Sequence, residues 1–325
     1  MNMYHNHVKN MIIYASFNIK FIIAITYFIA VNWKLCEAKL RIIGGRDALK
    51  DEYPFAVRLE QQYTKTINGK TEFNYYPLCS GAAITPTWIL TAAHCDSDEV
   101  LKLYLNMLIT TKPRKFARYN SYFPKEMGHL SPILKEYNHP SYTYIRSDFN
   151  VRIRTKYDIA IYKTENVLVS YYGNISPIEY TSFIGHEAVV LGFGSTNATP
   201  TETHLQVLEG MLLKCDEREG HVHGMFCVVP RCGLDATICS GDSGGPIIHA
   251  SGIVGVNAIS MGNCNEHGHK LYPGAASAVI SMVSPFIDWI SNIMANKTNE
   301  RSYKIFFFSM KNVVLLLGLW TVVLV

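Results

Sequence analysis

The sequence predicts an all-β domain folded as a sandwich or barrel, on three observations. Short β-rich runs at residues 82–90, 159–162, 188–192, 246–249 and 252–259 are separated by clusters of Gly, Pro, Asn and Ser, the spacing of strands joined by turns. Helical patterning is sparse, and its best instance comes late. There Ser284 stands as a cap and Pro285 at the first helical position, ahead of Phe286, Ile287, Trp289, Ile290 and Ile293, so one helix is expected to close the domain. Finally, 325 residues with 48% apolar content supply a large core, and β barrels run to about 250 residues as one unit.

The elements between these runs follow the same logic. Residues 106–154 are rich in Tyr, Lys, Arg and Pro and read as surface loops with intervening strands. No internal repeat or long low-complexity run interrupts the chain. A net charge of +4 is too small to suggest a nucleic-acid partner.

The two ends carry different signals. Residues 1–38 read as a signal peptide: a weakly basic start ending at Lys20, an apolar run over 21–31, and the small-residue cleavage pattern Cys36-Glu37-Ala38. That run is short for a membrane span, which needs about 20 residues, although an uncleaved anchor is the alternative. Export would carry the eight cysteines into an oxidising compartment, where disulfides are the expected state. Asn174, Asn197 and Asn296 each head a glycosylation tripeptide. At the other end, residues 297–325 form an apolar tail behind a polar stretch and small residues. It is expected to be a lipid-anchor signal or a membrane anchor on the outer surface, its lack of a polar face arguing against a packed terminal helix.

The chemistry centres on Gly241-Asp242-Ser243-Gly244-Gly245-Pro246. A serine hydroxyl is a poor nucleophile at neutral pH and needs a base, an orienter for that base and donors for the developing oxyanion. Glycines allow the tight turn through which Gly241 and Ser243 can aim their N–H groups at one point. His94, in Thr91-Ala92-Ala93-His94-Cys95, is the candidate base, because it ends an apolar strand beside a cysteine able to pin the loop. Asp158 abuts the apolar run Ile159-Ala160-Ile161 and is the candidate orienter, completing the three roles.

These three stretches, in the order His, Asp, Ser, resemble the chymotrypsin-like serine peptidases over residues 42–296. The resemblance implies two antiparallel six-stranded Greek-key β-barrels packed together with a C-terminal α-helix. It implies catalysis by His94, Asp158 and Ser243, an oxyanion hole from Gly241 and Ser243, and no metal or organic cofactor. Arg41-Ile42-Ile43-Gly44-Gly45 resembles the family's zymogen junction. Residues 39–41 would then be a short propeptide, and cleavage after Arg41 by an activating protease would free an Ile42 ammonium to pair with Asp242. The cysteine positions imply the pairs Cys79 with Cys95, Cys215 with Cys227 and Cys239 with Cys264, leaving Cys36 and Cys232. Cys36 is lost with the signal peptide or bonds to Cys232, which otherwise stays free or competes with Cys227 for Cys215. The expected partners are protein or peptide substrates and protein inhibitors.

By the same resemblance the primary specificity pocket has Thr237 at its base, with Gly274 and Ser260 on its walls. Thr237 carries no charge, so uncharged side chains, apolar or aromatic, are expected before the scissile bond. The chain departs from the family at Ala258-Ile259-Ser260, Ala276, Ser240 and Phe193, and Ala258 lacks a hydroxyl that helps hold the orienting acid in relatives. Two rivals are a non-catalytic homologue that binds through the same cleft, which has no reason to keep the three catalytic residues, and a membrane-anchored adhesion protein, which leaves them unexplained.

Overall fold

A computed structural model describes residues 45–67, 70–96, 114–123, 126–147, 152–194, 204–215, 224–231, 236–260 and 276–296. The expected signal peptide, the junction residues Arg41 and Ile42, Cys36, Cys232, Cys264, Gly274, Asn197 and the tail at 297–325 lie outside the described residues.

Six antiparallel strands close the first barrel: β2 (Ala56–Ile67), β3 (Lys70–Thr85), β4 (Trp88–Thr91), β9 (Ala160–Thr164), β6 (His129–Asn138) and β5 (Arg114–Tyr119), which returns to β2. A second ring runs through β10 (Glu187–Gly192), β11 (Gln206–Leu213), β12 (Met225–Pro230), β15 (Ala278–Met282), β14 (Gly252–Ser260) and β13 (Pro246–His249), back to β10. Numbered within each ring, both barrels visit their strands in the order 1-2-3-6-5-4, and this is the fold expected from the resemblance. A hairpin of β7 (Thr143–Ser147) and β8 (Arg152–Lys156) stands outside both. The short β1 (Arg46–Asp47) pairs with β11.

Apolar residues decide which face of each strand turns inward. Val57, Ala82, Ile89, Leu90, Ile161 and Tyr162 are buried in the first core, with β4 covered on both faces, while Val190, Leu208, Leu212, Val228, Ile247 and Ile280 are buried in the second. Each fully buried Leu, Ile or Val side chain contributes roughly 1.5–3 kcal/mol over the exposed state. The first core continues through Leu191, Phe193 and Val256 of the second half, so the barrels share a packed seam, and the site forms along it.

The structure refines three sequence expectations. The run at 82–90 is two strands, because Pro86 and Thr87 turn the chain between β3 and β4. Two barrel strands, β5 and β6, lie within the 106–154 stretch read as surface loops with intervening strands; Lys115, Arg118 and Glu136 break the apolar alternation that would have marked them. The closing helix begins as a 3-10 turn at Ser284–Phe286 and continues as α1 over residues 287–296. Ser284 does not cap it: Val283 is the N-cap residue, with no side-chain cap bond, and the Ser284 hydroxyl instead accepts the Tyr180 N–H at 2.8 Å.

Candidate active site

Strand β4 is buried along its whole length and delivers the chain into a 3-10 turn, Ala93–Asp96, that carries His94. Two ties hold this turn. Cys95 is bonded to Cys79 on β3, as the resemblance implied. From β5, the buried Lys115 ammonium donates to the Asp96 carbonyl at 3.1 Å and carboxylate at 3.0 Å, and pairs with Glu136 at 2.9 Å. His94 also lies beside Cys79 and Cys95, but both sulfurs are spent in the disulfide and offer no thiolate to a metal.

Asp158 stands between β8 and β9, immediately after Tyr157, whose φ of 55° turns the chain sharply. Such a backbone costs about 1 kcal/mol or more for a bulky residue. The Tyr157 ring is held in place by stacking on His139 and by an edge contact from Phe286 at the start of the closing helix. Asp158 is fully buried, and both its oxygens are used by one residue. Oδ1 accepts the His94 backbone N–H at 2.9 Å, and Oδ2 lies 2.8 Å from His94 Nδ1. That bond assigns the proton to Nδ1 and leaves Nε2 as an acceptor. Burial acts to lower the His94 pKa, but the Asp158 charge and hydrogen bond outweigh it and hold the imidazole above its ordinary value.

The serine side of the cleft is built by close backbone approach. Gly241 has a φ of +100°, which glycine adopts freely. A Cβ on Gly244 would lie 2.1 Å from Thr91 Oγ1 and 2.9 Å from the Ala92 nitrogen. The turn bearing Ser243 is therefore lodged against the two residues that lead into Ala93 and His94. Further bonds run from Ser80 N–H to the Ser243 carbonyl at 2.8 Å and from Gly244 N–H to the Asn257 carbonyl at 2.8 Å.

Sequence reasoning missed Ser80. Its hydroxyl, on a residue only 1% exposed, donates to the Gly241 carbonyl at 2.8 Å and accepts the Phe193 N–H at 2.9 Å. It thus ties the first barrel to the turns at Gly241 and Phe193 on the second. The available signal was a hydroxyl between Cys79 and Gly81 in a run bound for the core, where an unpartnered hydroxyl would be costly. The Lys115, Asp96 and Glu136 cluster was missed as well, hidden in part within the 106–154 stretch.

Asp242 is buried and accepts two backbone N–H groups, from Gly194 at 2.6 Å and Cys239 at 2.8 Å. Burial pushes its carboxyl up to about 6, with the two amides pulling the other way. Among the described residues no basic side chain pairs with it. Four residues beyond Ile42, the chain is already fixed on the same barrel: β1 pairs with β11, and Gln206 Nε2 donates to Asp47 Oδ1 at 2.7 Å.

At the expected pocket, Thr237 is buried and Ser260 donates its hydroxyl to the Ile238 carbonyl, tying the segment after Thr237 to the end of β14. Gly274 falls outside the described residues. The Cys215–Cys227 pair is present. Cys239 is disulfide-bonded, and its expected partner Cys264 lies outside the described residues.

A protein-family model described as Trypsin matches residues 42–290. The chain belongs to the trypsin family. Its relatives include Trypsin 5G1 of Aedes aegypti, 25% identical over 276 residues covering 80% of this chain and 88% of that protein. The venom peptide isomerase heavy chain of Agelenopsis aperta is 27% identical over 266 residues, covering 78% of this chain and 100% of the relative. Among solved structures, neuropsin, a serine protease of mouse brain, superposes with a TM-score of 0.55 at 18% identity, over 77% of this chain and 98% of neuropsin, a likeness of fold. Family membership makes the chain a serine-type endopeptidase, a hydrolase of the trypsin family.

Proposed function

We propose that this trypsin-family member is a secreted endopeptidase made as a zymogen, with Ser243 as nucleophile, His94 as general base and acid, and Asp158 as orienter. The observation that carries the reading is the pair of hydrogen bonds that His94 donates to Asp158, with the Ser243 turn packed on the segment leading to that histidine. In the reaction, Ser243 Oγ attacks the scissile carbonyl as its proton passes to His94 Nε2. The Gly241 and Ser243 N–H groups take the oxyanion charge. Collapse breaks the C–N bond, His94 returns the proton to the leaving amine, and water then releases the acyl group by the same route.

Activation rests on the charge state of Asp242. A buried carboxylate without a cation is unfavourable, and cleavage after Arg41 supplies an ammonium at Ile42, four residues before the chain is anchored at Arg46 by β1. The new pair orders the turn that carries Gly241 and Ser243. For specificity, the uncharged Thr237 leaves a Lys or Arg side chain without a counter-ion, so uncharged residues, apolar or aromatic, precede the scissile bond. The Ser260 bond to Ile238 adds a further restraint on pocket width. Export, glycosylation at the three tripeptides and attachment through the 297–325 tail rest on sequence patterns. Among the described residues no helix is long and apolar enough to cross a membrane.

A peptide library tests both parts. The chain cut after Arg41 and an uncut Arg41→Gln chain are each incubated with mixed peptides, and the products are read by mass spectrometry. Cuts after uncharged residues by the cleaved form alone are expected. Equal activity of the uncut variant overturns the zymogen reading, and preferred cuts after Arg or Lys overturn the specificity reading.

A further inference from the structure

Away from the cleft, a pair of histidines on the second barrel is set up as a chelate. His186 immediately precedes β10 and His249 ends β13, a strand whose other end begins three residues after Ser243. His186 Nδ1 and His249 Nε2 are 3.4 Å apart. Two nitrogens bound to one tetrahedral zinc ion at the usual 2.0–2.1 Å lie about 3.3–3.4 Å apart, whereas adjacent corners of a square-planar ion lie about 2.8–2.9 Å apart. The observed separation thus matches the tetrahedral edge before any ion arrives.

Both residues are held in place. The His186 N–H donates to the Phe183 carbonyl at 3.0 Å, and its own carbonyl accepts the Leu212 N–H at 2.9 Å. His249 pairs with Gly252 across the β13–β14 hairpin. The buried Phe183 ring meets both imidazoles edge-on, at 6.2 and 5.0 Å between centroids. Behind the pair, His249 Nδ1 lies 2.9 Å from Ser251 Oγ, and that hydroxyl is 2.7 Å from Ser176 Oγ. A partner on the far ring nitrogen holds the direction of a ligating histidine.

We propose that His186 and His249 form a binding site for a divalent transition-metal ion of tetrahedral preference, zinc first. In the metal-free state, His249 Nδ1 accepts the Ser251 N–H at 3.2 Å, so Nε2 holds the proton facing His186. On loading, Nε2 releases its proton to water and Nδ1 takes one up from water. Nδ1–H then donates to Ser251 Oγ, the Ser251 N–H gives up its bond to Nδ1, and Nε2 is free to bind while His186 Nδ1 binds beside it. Among the described residues no third His, Cys, Asp or Glu completes the set, so water fills the remaining positions and the site is open. His186 is exposed and His249 half-buried, giving the ion direct access. Bound there, the ion staples the start of β10 to the end of β13, at the opposite end of β13 from the nucleophile.

The test is zinc titration of the full chain carrying Ser243→Ala, which prevents self-digestion, by calorimetry and thermal unfolding. Binding with a rise in Tm of several degrees at a hundredfold excess over Kd is expected. One equivalent of that binding, with the Tm shift, should vanish in His186→Gln and in His249→Gln. Binding and shift unchanged in both variants, or absent from the parent, overturn the proposal. If His249→Gln fails to fold, the exposed His186→Gln decides alone. X-ray absorption then provides an independent reading: two imidazole nitrogens with oxygen ligands support the site, and a sulfur or all-oxygen shell contradicts it.

Discussion

The two sides of the cleft each bury one carboxylate, and they treat it differently. On the first barrel Asp158 takes both its hydrogen bonds from His94, so the acid and its base form a closed unit in the intact chain. On the second barrel Asp242 takes two backbone N–H groups, and among the described residues no cation stands against it. The base side is therefore complete on folding, whereas the serine side holds an acid pushed up to about 6 and poised for a positive charge. One strand order thus carries two different acid environments, one closed on a histidine and one closed on backbone amides.

The largest effect comes from breaking the closed side. His94→Ala or Asp158→Asn is expected to lower kcat by about 10³- to 10⁴-fold or more in the cleaved enzyme, with a native circular dichroism spectrum. A loss under tenfold would separate these residues from the chemistry. The same pair sets the acid limb of the pH profile. His94 must be neutral to accept a proton, and Asp158 holds its pKa above the ordinary value, so kcat/KM should fall as the pH drops through a midpoint above 6.5. A profile flat down to pH 5 would remove His94 from the role of base.

The open side predicts a change in stability. The Asp242 carboxyl is raised from 3.8 to about 6 in the intact chain, so between those values the folded chain holds more protons than the unfolded one. Unfolding free energy must then decrease as pH rises through the window, by about 3 kcal/mol from this group. Denaturant unfolding of the uncut chain at pH 4 and 7, against Asp242→Asn, isolates that contribution as a difference between the two pH dependences. In the enzyme cut after Arg41 the contribution should shrink, because the Ile42 ammonium stabilises the charged form. An equal contribution before and after cleavage would break the contrast between the two halves.

A smaller effect is expected where the halves are tied together. Ser80→Ala removes the bonds to the Gly241 carbonyl and the Phe193 N–H, loosening the oxyanion turn without deleting a donor to substrate. About a tenfold loss in kcat is expected, below the 10²- to 10³-fold of losing an oxyanion donor, with KM nearly unchanged and partial rescue by Ser80→Thr. A loss confined to Tm, with kcat intact, would make Ser80 a packing residue only.

How much of this could be read from the sequence depended on the range of each interaction. Ser243 and His94 announced themselves through short runs whose neighbours do local work: glycines for a turn, a cysteine for a pinned loop. Ser80 did not, since its partner Gly241 is 161 residues away and nothing near Ser80 in the chain hints at it. Ser284 shows the reverse error. Its position is that of a helix cap, but tertiary packing brought Tyr180 within reach, and the hydroxyl satisfied that amide instead. Strands β5 and β6 were blurred because Lys115, Arg118 and Glu136 break the apolar alternation, yet these charges bond one another or nearby acids inside the fold. Of the pocket residues implied by the resemblance, Thr237 and Ser260 are described, and Gly274 lies outside the described residues.

The central claim is that Ser243 becomes a nucleophile when the second half of the cleft receives its charge. Labelling by a fluorophosphonate, followed by peptide mapping, tests this most directly. The account predicts stoichiometric modification of Ser243 in the chain cut after Arg41, little in the uncut chain, and none in His94→Ala. An unlabelled Ser243 in the cut chain, or equal labelling of cut and uncut chains, would contradict it.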